Sequence, residues 1–205
     1  LSAAEYRRFL LEKVAAAVVE AWHSRGPGGV APAFGFARSG HCRRAVYANG
    51  TAEMYGRTDR NDFVEMEGGE DSGVDLLFTF NTSGRPTGVI VNLACPSQVM
   101  EATYKVSSDF LGETRRLLKG HFGREFKVLG QISAAGCQSP RDLTRKPGSE
   151  PDFWREEGVT ELGRRLAEVV KRAIPASARI SRSPVLRHRV RRITLPRRRV
   201  SPAEY

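Results

Sequence analysis

Val74-Asp75-Leu76-Leu77-Phe78-Thr79-Phe80, then a link over residues 81–87, then Gly88-Val89-Ile90-Val91-Asn92-Leu93-Ala94 decide how this chain folds. Both runs have strand length and are dense in apolar, β-branched and aromatic side chains. The link carries Asn81, Ser83, Gly84 and Pro86, which favour turns for separate steric and hydrogen-bonding reasons. Two buried strands so joined predict the centre of a sheet, which needs neighbouring strands and a covering layer.

Working outward, residues 126–132 read as a further strand. Before it, Ser107-Ser108-Asp109 can cap a helix running to Lys119 and stopped at Gly120, with Arg115, Arg116 and Lys119 placed late, as the helix dipole favours. Upstream, residues 30–36 predict a short strand. Ala45-Val46-Tyr47-Ala48, Asn49-Gly50 and residues 51–55 predict a hairpin with a type I′ turn. Residues 56–73 are acidic and turn-rich and read as loop, as do residues 139–148. Ser2-Ala3-Ala4-Glu5 is a capping-box pattern opening a helix with an apolar stripe through Tyr6, Leu10, Val14 and Val18, ending near His23 before Gly26-Pro27-Gly28. A last helix is expected from about Thr160, with Leu162, Leu166, Val169 and Val170 on one face, ending before Pro175. The interleaving predicts an α/β or α+β fold with one central sheet flanked by helices.

The composition sets bounds. Of 205 residues, 40% are apolar and 27% charged, enough for a sizeable core in one domain or at most two. No stretch approaches the roughly 20 apolar residues of a transmembrane helix. Cys42, Cys95 and Cys137 form no CxxC pair, which excludes a disulfide framework and a zinc finger. The net charge of +10 is concentrated: residues 176–205 hold nine arginines and one acid, whereas 1–175 hold 24 basic and 22 acidic residues. That argues against a uniformly basic nucleic-acid-binding domain. The expectation is a body over 1–175 and a basic extended segment over 176–205 packed on it; the alternative is a segment that binds phosphate on anionic partners. The chain opens on Leu1 with no signal-peptide pattern, which suggests a piece of a longer protein.

Two segments follow buried strands and are rich in chemistry: Asn92-Leu93-Ala94-Cys95-Pro96-Ser97-Gln98 and Ala135-Gly136-Cys137-Gln138-Ser139-Pro140-Arg141. Ligands of α/β sheets sit in crevices beyond strand ends, where loops carry the working groups. The bland readings stand beside this one. Ser139-Pro140 can be a turn, and Cys95 a small buried hydrophobe. His23 suits a helix end, His41 is a candidate for a site rim, and His121 and His188 read as solvated.

Those two segments, with Ser107-Ser108-Asp109-Phe110 between them and Ala21-Trp22, Gly40-His41-Cys42-Arg43-Arg44 and Met54-Tyr55-Gly56 upstream, resemble the neutral/alkaline non-lysosomal ceramidase family in order and spacing. The resemblance implies the middle of that family's N-terminal catalytic domain. It implies a zinc-dependent amide hydrolase that cleaves an N-acyl bond through a serine nucleophile, with a small-molecule or lipid N-acyl amide as substrate. The family's Gly-Asp-x-Ser-Pro motif matches residues 136–140, which makes Ser139 the nucleophile. Its zinc-binding His-Pro matches Cys95-Pro96, which makes Cys95 a candidate metal ligand. Its Asn-Arg pair matches Cys42-Arg43, which makes Arg43 a candidate for substrate binding. The sequence departs from the pattern at Cys95, where the family has histidine, and at Cys137, where it has aspartate. The remaining zinc ligands are expected outside these residues, so zinc belongs to the full-length protein and this chain alone is expected to hold none tightly. Ser139, Cys95 and Arg43 are expected around one pocket. The runner-up reading is a non-catalytic binding protein on the same fold, its basic segment engaging anionic partners.

Overall fold

The computed structural model describes residues 2–101, 103–146, 153–174 and 179–196. The elements run α1 (Ala3–His23), β1 (Gly28–Phe36), β2 (His41–Cys42), β3 (Arg44–Tyr47), β4 (Ala52–Met54), β5 (Phe63–Met66), β6 (Gly73–Asn81), β7 (Pro86–Leu93), α2 (Asp109–Phe122), β8 (Lys127–Ile132), β9 (Gln138–Ser139) and α3 (Arg155–Ala173). The class is mixed α/β, as the sequence predicts.

The decisive stretch forms the middle of a four-stranded sheet of order β1-β6-β7-β8. β6 pairs antiparallel with both β1 and β7, while β8 lies parallel to β7 and is reached through α2. Alternation along β6 sends Val74, Leu76, Phe78 and Phe80 into the core. There they meet Val89, Val91 and Leu93 of β7, Phe110 and Leu118 of α2, and Leu162, Leu166 and Val170 of α3. α2 and α3 thus cover one face of the sheet. The other face carries the register row Pro32, Leu77, Ile90 and Leu129, of which Leu77 and Leu129 are exposed.

Smaller pieces hang on this frame. β4-β3-β5 form a three-stranded sheet and β2-β9 a two-residue antiparallel pair. β5 lies inside the segment expected to be loop. Phe63-Val64-Glu65-Met66 shows no period-2 alternation and has acidic flanks, so nothing local marks a strand whose pairing comes from β3. The β3–β4 turn is also not type I′, which needs positive φ at both central residues. Only Gly50 has it, at 79°; Asn49 instead accepts from the backbone and hydroxyl of Thr51 at 3.0 and 2.7 Å.

Helix ends differ from the expected ones for tertiary reasons. α2 passes Gly120 and stops at Gly123, φ 107°, which lets Phe122 stack on Phe126, centroids 4.6 Å apart. Its start is held by two of the three residues expected to cap it: Ser107 Oγ accepts from Asp109 N at 3.0 Å, and the Asp109 carboxylate accepts from Phe110 N and from Met100 N at 2.9 Å each, while the Ser108 side chain makes no cap bond. α3 begins five residues early, at Arg155, where Arg155 N donates to Val99 O at 3.0 Å. α1 has the predicted capping box and extent, yet none of its 21 residues is buried. No helix among the described residues is long and apolar enough to cross a membrane.

The basic segment begins on the sheet. Ser181 and Val30 exchange backbone hydrogen bonds of 2.8 and 2.9 Å, and Arg182 donates to Thr82 O at 3.0 Å. Residues 183–196 are exposed throughout. Gly148, Pro175 and the arginines at 197–199 lie outside the described residues.

Candidate functional site

Three segments far apart in sequence meet beyond the end of β7. β2 and β9 pair with His41 opposite Ser139 and Cys42 opposite Gln138, so Ser139 belongs to a short strand and not to the loop the sequence suggests. The third segment, after β7, brings Cys95. Gly40 is the wedge between them: a Cβ there would lie 2.7 Å from Ala94 O, 3.2 Å from Gln138 Oε1 and 3.6 Å from Cys95 Cβ. No side chain fits that close approach, so the site segments touch only because residue 40 is glycine.

Arg43 ties the assembly from outside. Its guanidinium donates to Gly136 O at 2.8 Å and to the Tyr55 hydroxyl at 3.2 Å, while its backbone N–H donates to Cys137 O at 3.0 Å. It is half-buried and holds the run before Ser139 against β2.

Ser139 is fully buried. Its Oγ accepts from Arg141 N at 3.1 Å across Pro140. Cys95 is equally buried, and its thiol donates to Ser39 O at 2.9 Å. Burial, with the negative charge of Asp109 added, pushes that thiol up to about 12; it stays protonated at neutral pH. Ser139 and Cys95 therefore sit in adjoining, tightly packed segments with Arg43 at their margin.

His41 is the group that sequence reading under-weighted. It is 5% exposed, opposite Ser139, with Nδ1 3.2 Å from Pro140 O and Nε2 3.9 Å from Asp142 Oδ2. Nε2 is buried without a hydrogen-bond partner. Burial lowers its pKa from the ordinary value, with Arg38 adding to the effect; Asp142, Glu70 and the Pro140 contact oppose it without winning. The ring is thus neutral at pH 7, and the approach to Asp142 is not a formed ion pair. Asp142 itself is partly buried, which alone would raise it, but hydrogen bonds from Thr144 and the charges of His41 and Arg38 bring it below its usual value. The sequence marks His41 as a site-rim candidate, but its burial and its place opposite Ser139 are not legible there, because the His41–Ser139 pairing closes a loop of nearly 100 residues.

The other candidates disperse. His23 lies at the exposed end of α1, His121 and His188 are exposed, and Cys137 is exposed while Cys42 is buried. The donor set does not fit zinc: no three His, Cys, Asp or Glu side chains among the described residues are grouped to hold a metal ion, and the Cys95 thiol is engaged with Ser39 O.

The fold has solved counterparts. The crystal structure of neutral ceramidase from Pseudomonas aeruginosa matches with TM-score 0.56 at 22% sequence identity, over 79% of this chain and 25% of that one. A ceramidase complexed with C2 matches with TM-score 0.55 at 21% identity, over 75% of this chain and 23% of that one. The fold is ceramidase-like. The chain spans about a quarter of the length of these structures, and at such identity the likeness is one of fold. No family model matches the chain, and no curated protein matches it.

Proposed function

We propose that this chain is part of a ceramidase-like amide hydrolase acting on an N-acyl amide, with a lipid amide as the favoured substrate class. In this reading residues 1–175 belong to the catalytic domain and residues 176–205 are a basic segment laid on it. One observation carries it: the segments holding Cys95, Arg43 and Ser139 converge on Gly40 within a ceramidase-like fold.

Ser139 is the nucleophile. Its Oγ adds to the amide carbonyl carbon, the amine departs with a proton, and water hydrolyses the resulting acyl ester. Arg43, a fixed guanidinium beside the Gly136 carbonyl, binds polar groups of the substrate. Zinc is assigned no step here, because the described residues do not form its site. The burial of Ser139 requires that the segment after Gly136 opens, or is held differently by the remainder of a longer protein, before substrate can reach Oγ.

The test is Ser139→Ala in the longest protein that carries this segment, assayed on an N-acyl amide. Loss of about 10³-fold or more in kcat supports the nucleophile; near-normal turnover removes it. The complete burial of Ser139 and the exposure of residues 183–196, with four arginines, favour the second reading. That reading is a non-catalytic protein whose basic segment binds anionic partners. It gains if the unaltered protein hydrolyses no amide and binds anionic vesicles in a salt-sensitive way.

A further inference from the structure

Between the end of β1 and the second half of α3 lies a cleft of about 550 Å³, a size ordinary for a small-molecule site. It is separate from the segments that hold Ser139 and Cys95, and its two sides differ in chemistry. On the β1 side Phe34 and Phe36 meet edge-on, centroids 4.9 Å apart, and are 52% and 73% exposed. The floor is Val169, which approaches Gly35 so closely that a Cβ there would sit 2.5 Å from Val169 Cγ1.

The rim is cationic. Arg38, Arg164, Arg165 and Arg172 line it against a single lining carboxylate, Glu168. Arg164 and Arg165 divide one counterion, Glu161, at 2.9 and 2.7 Å. Arg38 is paired with Glu70 at 3.0 Å, and Glu168 is taken by Lys171 at 2.9 Å. Arg172 has no ion pair among the described residues. Guanidinium groups short of carboxylates seek an oxyanion, which they bind through two parallel N–H donors. The exposed phenylalanines beside them seek hydrocarbon.

We propose that this cleft binds an anionic amphiphile. Its carboxylate or phosphate head lies on Arg172 and Arg164, and its alkyl tail lies along Phe34, Phe36 and Val169. Neither half suffices alone: inorganic phosphate has no tail, and a neutral detergent has no charge for the rim. The inference does not depend on the hydrolase reading: Ser139, Cys95, Arg43 and His41 do not line the cleft, and Arg38, which does, acts on that site only through its charge.

Calorimetric titration of the full chain with decanoate, decyl phosphate, decyl maltoside and inorganic phosphate tests this. Decanoate or decyl phosphate is expected to bind at least about tenfold more tightly than the maltoside or inorganic phosphate, the scale of one charge-assisted contact. Whichever of the two binds better assigns the head as carboxylate or phosphate. The double variant Arg164→Gln, Arg172→Gln should lose that advantage and keep the maltoside affinity. Phe36→Ser should weaken every ligand with a tail. These side chains are exposed, and circular dichroism checks that the variants fold. Equal affinity for decyl maltoside, no binding by either anion, or unchanged anion binding in the double variant overturns the proposal.

Discussion

α1 and α3 are nearly equal in length, 21 and 19 residues, and are held by opposite means. α1 is a locally sufficient helix. Ser2 Oγ accepts from Glu5 N, Glu5 reaches back to Ser2 N at 2.6 Å, and alanines fill its centre. Yet it buries no residue. α3 has no side-chain cap and carries two interior glycines, both unfavourable in isolation, but buries seven residues. One helix exists because of its own sequence, the other because of what lies beside it. Only the second reaches the candidate site. Its first residue is anchored on Val99, and Phe153 just before it lies 5.6 Å from the His41 ring and 4.5 Å from the Arg165 guanidinium.

The sharpest way to break this contrast is a pair of identical truncations. Leu166→Ala removes a side chain with no exposed surface and should cost about 2–5 kcal/mol by denaturant unfolding, through lost transfer energy plus the cavity left behind. Leu11→Ala on α1, where the leucine is 62% exposed, should stay within about 0.5 kcal/mol. Equal losses would mean that α1 contributes to the core after all.

Glycine substitutions sharpen the same point with a smaller effect. A Cβ at Gly158 would meet Phe153 C at 2.3 Å and Val99 Cγ1 at 2.7 Å. Gly158→Ala must push backbone aside and should cost about 1–3 kcal/mol. Gly120, in α2, has nothing within 4 Å of its Cβ position, so Gly120→Ala should stabilise by about 0.5–1 kcal/mol through helix propensity. Thermal midpoints moving in opposite directions bear this out; two losses would show that Gly120 also serves packing.

The same division explains what the sequence disclosed. The core strands were readable because Val74–Phe80 and Gly88–Ala94 carry their burial in their composition. α1 was readable because cap and stripe are local, although nothing local reveals whether a stripe finds a partner. β5 and the early start of α3 were hidden because each depends on a distant contact, β3 and Val99 respectively; the α2 end past Gly120 was hidden because that glycine reads as a stop, whereas the helix runs on to Gly123. In the candidate site Ser139, Cys95 and Arg43 stood out through the resemblance of their motifs to the ceramidase family, not as residue types. What surrounds them did not: the burial of Ser139, the protonated Cys95 thiol and the orphaned Nε2 of His41 arise from pairings across 50 to 100 residues.

Acid should weaken the region around the head of α3. The folded His41 binds a proton less readily than in the unfolded chain, where its ordinary value is about 6.5. Its contribution is fully present above that value. It is lost as pH falls below it, because the unfolded chain then takes up protons that the folded one refuses. Denaturant midpoints should drop between pH 7.5 and 5, and His41→Asn should flatten that part of the curve. An unchanged slope in the variant would assign the pH dependence to other groups.

The smallest expected effect belongs to α1 and is local. Ser2→Ala deletes the acceptor for Glu5 N and should cost the helix about 1 kcal/mol, the usual scale for a cap. Because α1 buries nothing, that loss should appear as faster hydrogen exchange in α1 amides while α3 amides and the global unfolding midpoint stay where they were. Acid should mimic it. The Ser2 backbone bond, then the Ser2 side chain, hold the Glu5 carboxyl below its usual value. The capping interaction is therefore present above the ordinary carboxylate range and is lost as pH falls through the lowered one. In the Ser2→Ala variant this acid-induced fraying should begin at a higher pH, since one of the two bonds that lower Glu5 is gone. Slower exchange in α1 than in α3, or a global midpoint that falls with Ser2→Ala, would show that α1 is held by tertiary contacts and would dissolve the contrast between the two helices.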